Sequence, residues 1–292
     1  VSAEQGARLF DLGYRGYEGA RRRPASAILT LGVFTVRRVL GLGRGARHKV
    51  LPAITLVIAY APALVSVGFA ALVDPLPVDD LITYGEYTFF IGSALALFAA
   101  LVAPEALCPD RRSGMLGLYL AGPLDRTRYL LAKGGAVLAV MLTITLGPLL
   151  FMLAAFVIAG YGPTAGETPG LLLRILASGV ATAALYASVS MAVSSFTSRR
   201  AVAAVAVVLL LLVPAIVARS AIESADAPDA LDLLSAPFVA SELSYRIFGE
   251  IQGGEDPIGR LSTWVVAGGL VAWTLAGAAA CWLRYRRIEA DR

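Results

Sequence analysis

Residues 103–133 read APEALCPDRRSGMLGLYLAGPLDRTRYLLAK. The interval holds Arg111, Arg112, Arg126, Arg128 and Lys133, is punctuated by Gly and Pro, and still carries Met-Leu-Gly-Leu-Tyr-Leu at 115–120. The chain on either side is almost wholly apolar. A basic break between two such runs is the pattern of a connection between membrane-crossing helices. The charge distribution along the rest of the chain decides whether that reading holds.

The composition agrees with it. The chain is 58% hydrophobic and 16% charged, with a mean hydropathy of +0.72, whereas soluble domains run about 45–50% apolar and about 25% charged. Its 292 residues have the length of two soluble domains, but the hydropathy favours one all-α membrane domain. Residues 1–49 form its N-terminal segment, 50–284 the helix bundle and 285–292 a tail. The first fifty residues are too charged for a secretory signal. The net charge of +4 sits at the ends of apolar runs, not on a solvated face with interleaved aromatics, which argues against nucleic acid as a partner. Cys108, Cys281 and the lone His48 supply neither a disulfide framework nor an obvious metal site. The cysteines read as small buried apolar residues.

A spanning helix needs about 20 mostly apolar residues. Six segments qualify, at about Val50–Val73, Tyr87–Ala103, Gly134–Gly160, Leu171–Ser194, Ala201–Ala218 and Ser262–Leu283. The second is the shortest. Lys and Arg collect before the first span, between the second and third, after the fourth and after the sixth; the exceptions are Arg174, Arg219, Arg246 and Arg260. DPLPVDDLITYGE (74–86) and GPTAGETPG (162–170) have none, and the connection after the fifth span sets its three arginines among eight carboxylates. By the positive-inside rule both termini are cytoplasmic, and Arg174, just inside the fourth span, snorkels outward.

Three segments lie outside the lipid. Ala27, Ile28, Leu31, Phe34 and Val39 recur near helical spacing, opened by Pro24 and closed by Arg37 and Arg38. They predict an amphipathic helix in the interface plane, its arginines facing headgroups. Between spans five and six, Leu231, Leu234 and Phe238 share a helical face that Tyr245 continues after Pro237. This predicts one or two short helices at the outer mouth, capping a pathway or covering helix ends. In the opening stretch, Pro109 and Asp110 suit a helix start and Gly122-Pro123 a stop. A helix of about three turns is expected between them, with Asp125 capping the next. It lies in the headgroups or plugs into a soluble partner.

Inside the spans, Ser178, Thr182, Tyr186, Ser190 and Ser194 are spaced by four and form one polar stripe. Facing lipid they would find no partners, so they face the bundle, as packing between helices or as the lining of a pathway. Gly147-Pro148 and Pro214 are expected to loosen their helices. Mid-membrane acids and bases are nearly absent, which weakens an ion-coupled transporter or an intramembrane hydrolase. Glu105, at the end of the second span, is expected to pair with Arg111 or Arg112 or to meet a partner. No G-x-x-x-x-G-K-[ST] phosphate loop occurs, so any ATP chemistry belongs to another chain.

The run CPDRRSGMLGLYLAGPLDRTRYLLAK resembles the cytoplasmic loop of ABC-2 type permeases, the membrane subunits of ABC exporters. The residues that carry the resemblance are Asp110, Arg111, Arg112, Gly114, Leu116, Leu118, Leu120, Pro123, Leu124, Arg126 and Leu130 to Lys133. The six-span topology with an interfacial helix and a long last outer connection is similar too. Met115 stands where the family more often has Thr. The resemblance implies a coupling helix that docks on a separate ATP-binding subunit through Glu105, Asp110, Arg111, Arg112, Gly114, Leu116, Leu118, Tyr119 and Leu120. It implies two copies of that ATPase, which carries the ATP and Mg, and a second permease subunit, identical or different. It further implies a plasma-membrane location and outward movement of a lipid-like, drug-like or peptide cargo, with no catalytic residue in this chain. An ion-coupled transporter or a non-transporting scaffold or sensor is the competing reading.

Overall fold

In a computed structural model, residues 24–72, 82–121, 124–160, 162–250 and 257–287 are described. They are helical throughout, with no strand among them. Of the residues that the charge and turn readings rest on, Arg8, Arg15, Arg21, Arg22 and Arg23 before the first span, Arg292 after the sixth, and Gly122-Pro123 lie outside the described residues.

Six segments have the length and hydropathy of membrane spans: Arg47–Leu72, Gly92–Arg112, Arg126–Ala159, Thr168–Phe196, Arg200–Ala225 and Thr263–Arg287. Five are single helices. We label them α2 (Arg47–Leu72), α7 (Arg126–Ala159), α8 (Thr168–Phe196), α9 (Arg200–Ala225) and α11 (Thr263–Arg287), with α1 (Pro24–Val39) before them. The helix α8 is the hub: α11 and α7 pack along it, and α2 and α1 pack on α7. Small residues permit the closeness. A Cβ on Gly277 of α11 would stand 2.9 Å from the Ser188 backbone. Thr145 of α7 donates a hydrogen bond to the carbonyl of Gly179 in α8 at 3.0 Å. The helices α7 and α9 run through Pro148 and Pro214 without a break.

The break comes in the second span instead. Led into by α3 (Tyr87–Phe90), that span consists of α4 (Gly92–Leu97), a π turn at Phe98–Val102, a 3-10 turn at Ala103–Ala106 and α5 (Cys108–Arg112). Pro104 is the cause: it has no N–H for the ladder and its ring crowds the carbonyl four residues earlier. The wide turn before it and the tight turn after it absorb the mismatch. Carbonyls loosened by the change of pitch find new donors, with the Ser190 hydroxyl on Ala99 at 2.6 Å and Arg200 on Leu101 at 3.3 Å. The shortest apolar run is also the most enclosed, 67% of its apolar window being buried against 22% for α9 and α11.

The two ends differ in charge. At one, the start of α7 meets the end of α11, where Arg126 donates to the Arg286 carbonyl at 2.8 Å. The start of α9 meets the residues just before α2 through Arg200 and Arg44, both paired with Glu105. The opposite end carries a cap of a 3-10 turn at Asp229–Leu234, α10 (Ala236–Phe248) and a 3-10 turn at Pro257–Arg260. Arg219 of α9 pairs with Asp232 of the cap at 3.1 Å, and within the cap Arg246 pairs with Glu242 at 2.6 Å and Arg260 with Asp229 at 3.6 Å. Arg174 reaches the cap and donates to the Phe248 carbonyl at 3.0 Å. Glu250 fastens the preceding segment, accepting from the Gly85 amide at 2.9 Å and the Thr83 hydroxyl at 2.5 Å. Burial pushes the Tyr84 phenol in that segment up to about 12. The cap differs from the expected face in one respect. Ser235 caps α10, so Pro237 opens that helix instead of interrupting one. Val239, Ala240, Tyr245 and Phe248 form the buried face, and Leu234 is exposed.

Two predictions follow from this packing and polarity. Gly277→Val, against the Ser188 backbone, is expected to cost about 1–3 kcal/mol as overpacking, while Gly268→Val, whose Cβ would meet nothing within 4 Å, is near neutral; thermal unfolding in detergent separates them. With Cys108 and Cys281 replaced by Ala, an impermeant maleimide should label Leu234→Cys from outside intact cells, and label Arg112→Cys only after permeabilisation.

Candidate functional site: the α5–α6 segment and its buried anchor

The expected single helix between Asp110 and Leu120 is two helices. α5 ends at Arg112 and α6 (Met115–Ala121) starts after a Ser113-Gly114 turn. Gly114 has φ +71°, the left-handed region that favours glycine. The turn gives the segment two faces. Met115 and Leu118 are exposed, Leu118 by 68%, as is Arg112, whereas Leu116 is buried and Tyr119 half-buried. Leu120 lies near the end of α6. Arg111 points back into the bundle and donates to the Ser195 carbonyl of α8.

Asp110 and Glu105 are the anchors of this segment. Asp110 is 1% exposed. Its Oδ1 accepts from Arg38 of α1 at 2.7 Å, and its Oδ2 meets Lys133 Nζ of α7 at 2.7 Å and the Tyr129 hydroxyl at 3.0 Å. Lys133, itself nearly without exposure, also lies 5.8 Å from the Tyr119 ring centre and 5.6 Å from that of Tyr129. The Tyr129 ring stacks on Tyr285 of α11 at 5.8 Å. Burial, with the Asp110 charge beside it, raises the Tyr119 phenol, and Arg38 partly offsets this. Glu105 pairs with Arg200 at 2.5 Å, Arg44 at 3.5 Å and Arg38 at 3.9 Å. Neither Arg111 nor Arg112 is its partner, because the 3-10 turn at Ala103–Ala106 aims Glu105 at α1 and α9 and not along α5.

Two carboxylates thus hold four cations from α1, the 40–46 turn, α7 and α9. An unpaired buried ion costs several kcal/mol, so such a cluster persists only where every member is partnered. Arg38 was expected to face headgroups; Asp110 draws it inward. The face of α1 that packs is Leu31, Thr35 and Val39, and Phe34, about 100° round the helix from the middle of that face, is exposed. Lys133 and Tyr129 escaped the sequence reading as partners. Their signal was an i, i+4 pair on one helix face and a lysine inside the apolar run LLAKGGAVLAV, which must find a counter-charge.

The polar stripe of α8 is buried along its whole length. Ser178 shares a 2.9 Å hydrogen bond with Ser244 of the cap, and Ser190 serves the π turn. Thr182 and Ser194 are enclosed, and Ser194 Oγ has no hydrogen-bond partner among the described residues. Tyr186 alone borders a cleft, of about 300 Å³, whose walls include Phe89, Ser93, Leu211, Phe238 and Ser241. No carboxylate or cation lines it. No grouping of His, Cys, Asp and Glu able to hold a metal ion occurs among the described residues.

Residues 25–290 match the model of a family described as ABC-2 family transporter protein. Among curated proteins, none matches the chain.

The anchor yields its own test. Lys133→Met or Asp110→Asn alone is expected to destabilise the purified protein by about 3–5 kcal/mol, because each leaves a buried charge unmatched. The Asp110→Asn/Lys133→Met pair should cost clearly less than the sum of the two, a coupling that thermal unfolding of the four proteins measures.

Proposed function

The chain belongs to the ABC-2 family of transporter proteins and is a membrane component without a catalytic domain; on that premise we propose that it is the permease of an exporter whose motor docks on the α5–α6 segment. The observation that carries this reading is the asymmetry of that segment. Its inner side is bolted to α1, α7 and α8 through Asp110 and Arg111, while Arg112, Met115 and Leu118 stand exposed at the basic end. Apolar side chains beside a guanidinium on a short rigid helix suit a groove on a soluble protein. A push received there passes directly to α1 and α7, because one buried carboxylate joins all three.

The assembly in this reading contains two ATP-binding subunits and a second permease chain, with ATP and Mg held by the motors and the basic end in the cytoplasm. The stripe of α8 serves mainly to pack helices, since its members are enclosed. The cleft beside Tyr186, apolar with a few hydroxyls and no charge, suits a lipid-like cargo moving outward. Ion coupling has no support, because the buried acids among the described residues, Glu105, Asp110, Asp232 and Glu242, lie at the two ends of the bundle and each meets an arginine or lysine.

The test uses the chain purified from native membranes together with the ATP-binding subunit that accompanies it. Met115→Glu/Leu118→Glu should insert normally, lose most of the bound ATPase and uncouple ATP hydrolysis from transport in vesicles. Leu234→Glu, on the cap, should change neither. Full recovery of a coupled complex with the α6 variant would contradict the docking assignment.

A further inference from the structure

A groove of about 410 Å³ runs along the outside of the bundle between α7, α8 and α11. Its walls include Leu131, Gly134, Gly135, Leu138, Met191 and Trp282, and it extends from Thr127 to Leu138. Eleven residues of helix rise make it about 16 Å long, close to one leaflet of a hydrocarbon core about 30 Å thick. The paired glycines give it depth. A Cβ on Gly135 would meet nothing within 4 Å, and one on Gly134 only the Met191 methyl at 3.8 Å. Unlike Gly277, neither is needed for helix contact inside the chain. Two adjacent glycines within a helix weaken it, and here no described residue fills the space they leave.

The chemistry at its basic end identifies an occupant. The Arg286 guanidinium lies 4.6 Å from the ring centre of Trp282, which lines the groove. Arg126, one residue before the groove begins, donates to the Arg286 carbonyl at 2.8 Å. Among the described residues no carboxylate pairs with either arginine. A tryptophan and two available guanidiniums at the mouth of an apolar trough one leaflet deep match a phospholipid with an anionic headgroup. A second copy of the chain fits poorly: a two-fold axis through this face would set the same arginines against each other.

We infer that this groove binds an anionic phospholipid of the leaflet at the basic end, one acyl chain lying over Gly134 and Gly135 and the phosphate held by Arg126 and Arg286. The inference rests on the membrane character of the chain and not on the docking reading.

Trp282 is the reporter. In a full chain carrying Trp264→Phe and Trp273→Phe it is the remaining tryptophan, because the chain has three. The protein is reconstituted in phosphatidylcholine bilayers containing phosphatidylglycerol or phosphatidylcholine brominated along the acyl chain. Brominated phosphatidylglycerol should quench Trp282 severalfold more strongly, mole for mole. Arg126→Gln/Arg286→Gln should bring the two lipids to equal quenching, while Arg126→Lys/Arg286→Lys keeps most of the preference. Gly135→Leu, which fills open space, should lower quenching by both lipids. Equal quenching in the parent protein, or a preference that survives the double Gln substitution, would overturn the inference. So would protection from both lipids with Gly135→Cys cross-linking between copies, which assigns the face to self-association.

Discussion

A carboxylate buried at the edge of a membrane bundle must be held on every side, and Asp110 is held by Arg38, Lys133 and Tyr129. The rest of the basic end is arranged around that requirement. It holds α1 against α7. It fixes the entry of α7 beside α5, and through the Tyr129–Tyr285 stack it reaches α11. Glu105 does the same for α9 and the turn before α2. Coulomb attraction between ions largely shielded from water is far stronger than at a wet surface, and removing one partner is far worse than never having built the pair. A cluster of this kind therefore behaves as a rigid joint.

The joint has a soft neighbour. Just before Glu105 the second span leaves α geometry for a π turn and then a 3-10 turn. These irregular turns lie in the most enclosed part of the bundle, with their carbonyls served by Ser190 and Arg200. Backbone of this kind is tolerated at membrane depth only where protein covers it. The arrangement places a change of helical pitch between the anchored α5–α6 segment and the α3–α4 part that borders the uncharged cleft. At the far end, the cap is laced by ion pairs and by Glu250, so helix ends are covered and Arg219, Arg246 and Arg260 each meet a carboxylate.

Much of this was legible in the sequence because it follows from solvent alone. Long apolar runs must be helical in lipid, and Lys and Arg must collect at their ends, so six spans and the polarity of their connections could be read from residue types. The cap of α7 by Asp125 and the N-terminal Pro24 of α1 were equally readable, being local. What could not be read depends on tertiary partners. Pro104 looked like a span terminus, yet it is an internal break, because only the buried surroundings decide whether irregular backbone is affordable. Asp110 looked like a helix start facing a partner, yet it faces inward, because Arg38 lies 72 residues away in the chain. Gly114 divides the expected coupling helix for a local reason, the Ser-Gly pair, that was visible and given too little weight.

In the proposed assembly, the α5–α6 segment and α1 move as one body when the docked ATPase works. Spin labels at Leu118 and Phe34, both exposed, with a third position at Leu234 on the cap, report this by double electron–electron resonance in the complex assembled with its ATPase. On trapping the motors with ATP and vanadate, the Leu118–Phe34 distance should stay unchanged while the Leu118–Leu234 distance shifts. A Leu118–Phe34 distance that changes on trapping, with the helices sliding past each other, would contradict the account.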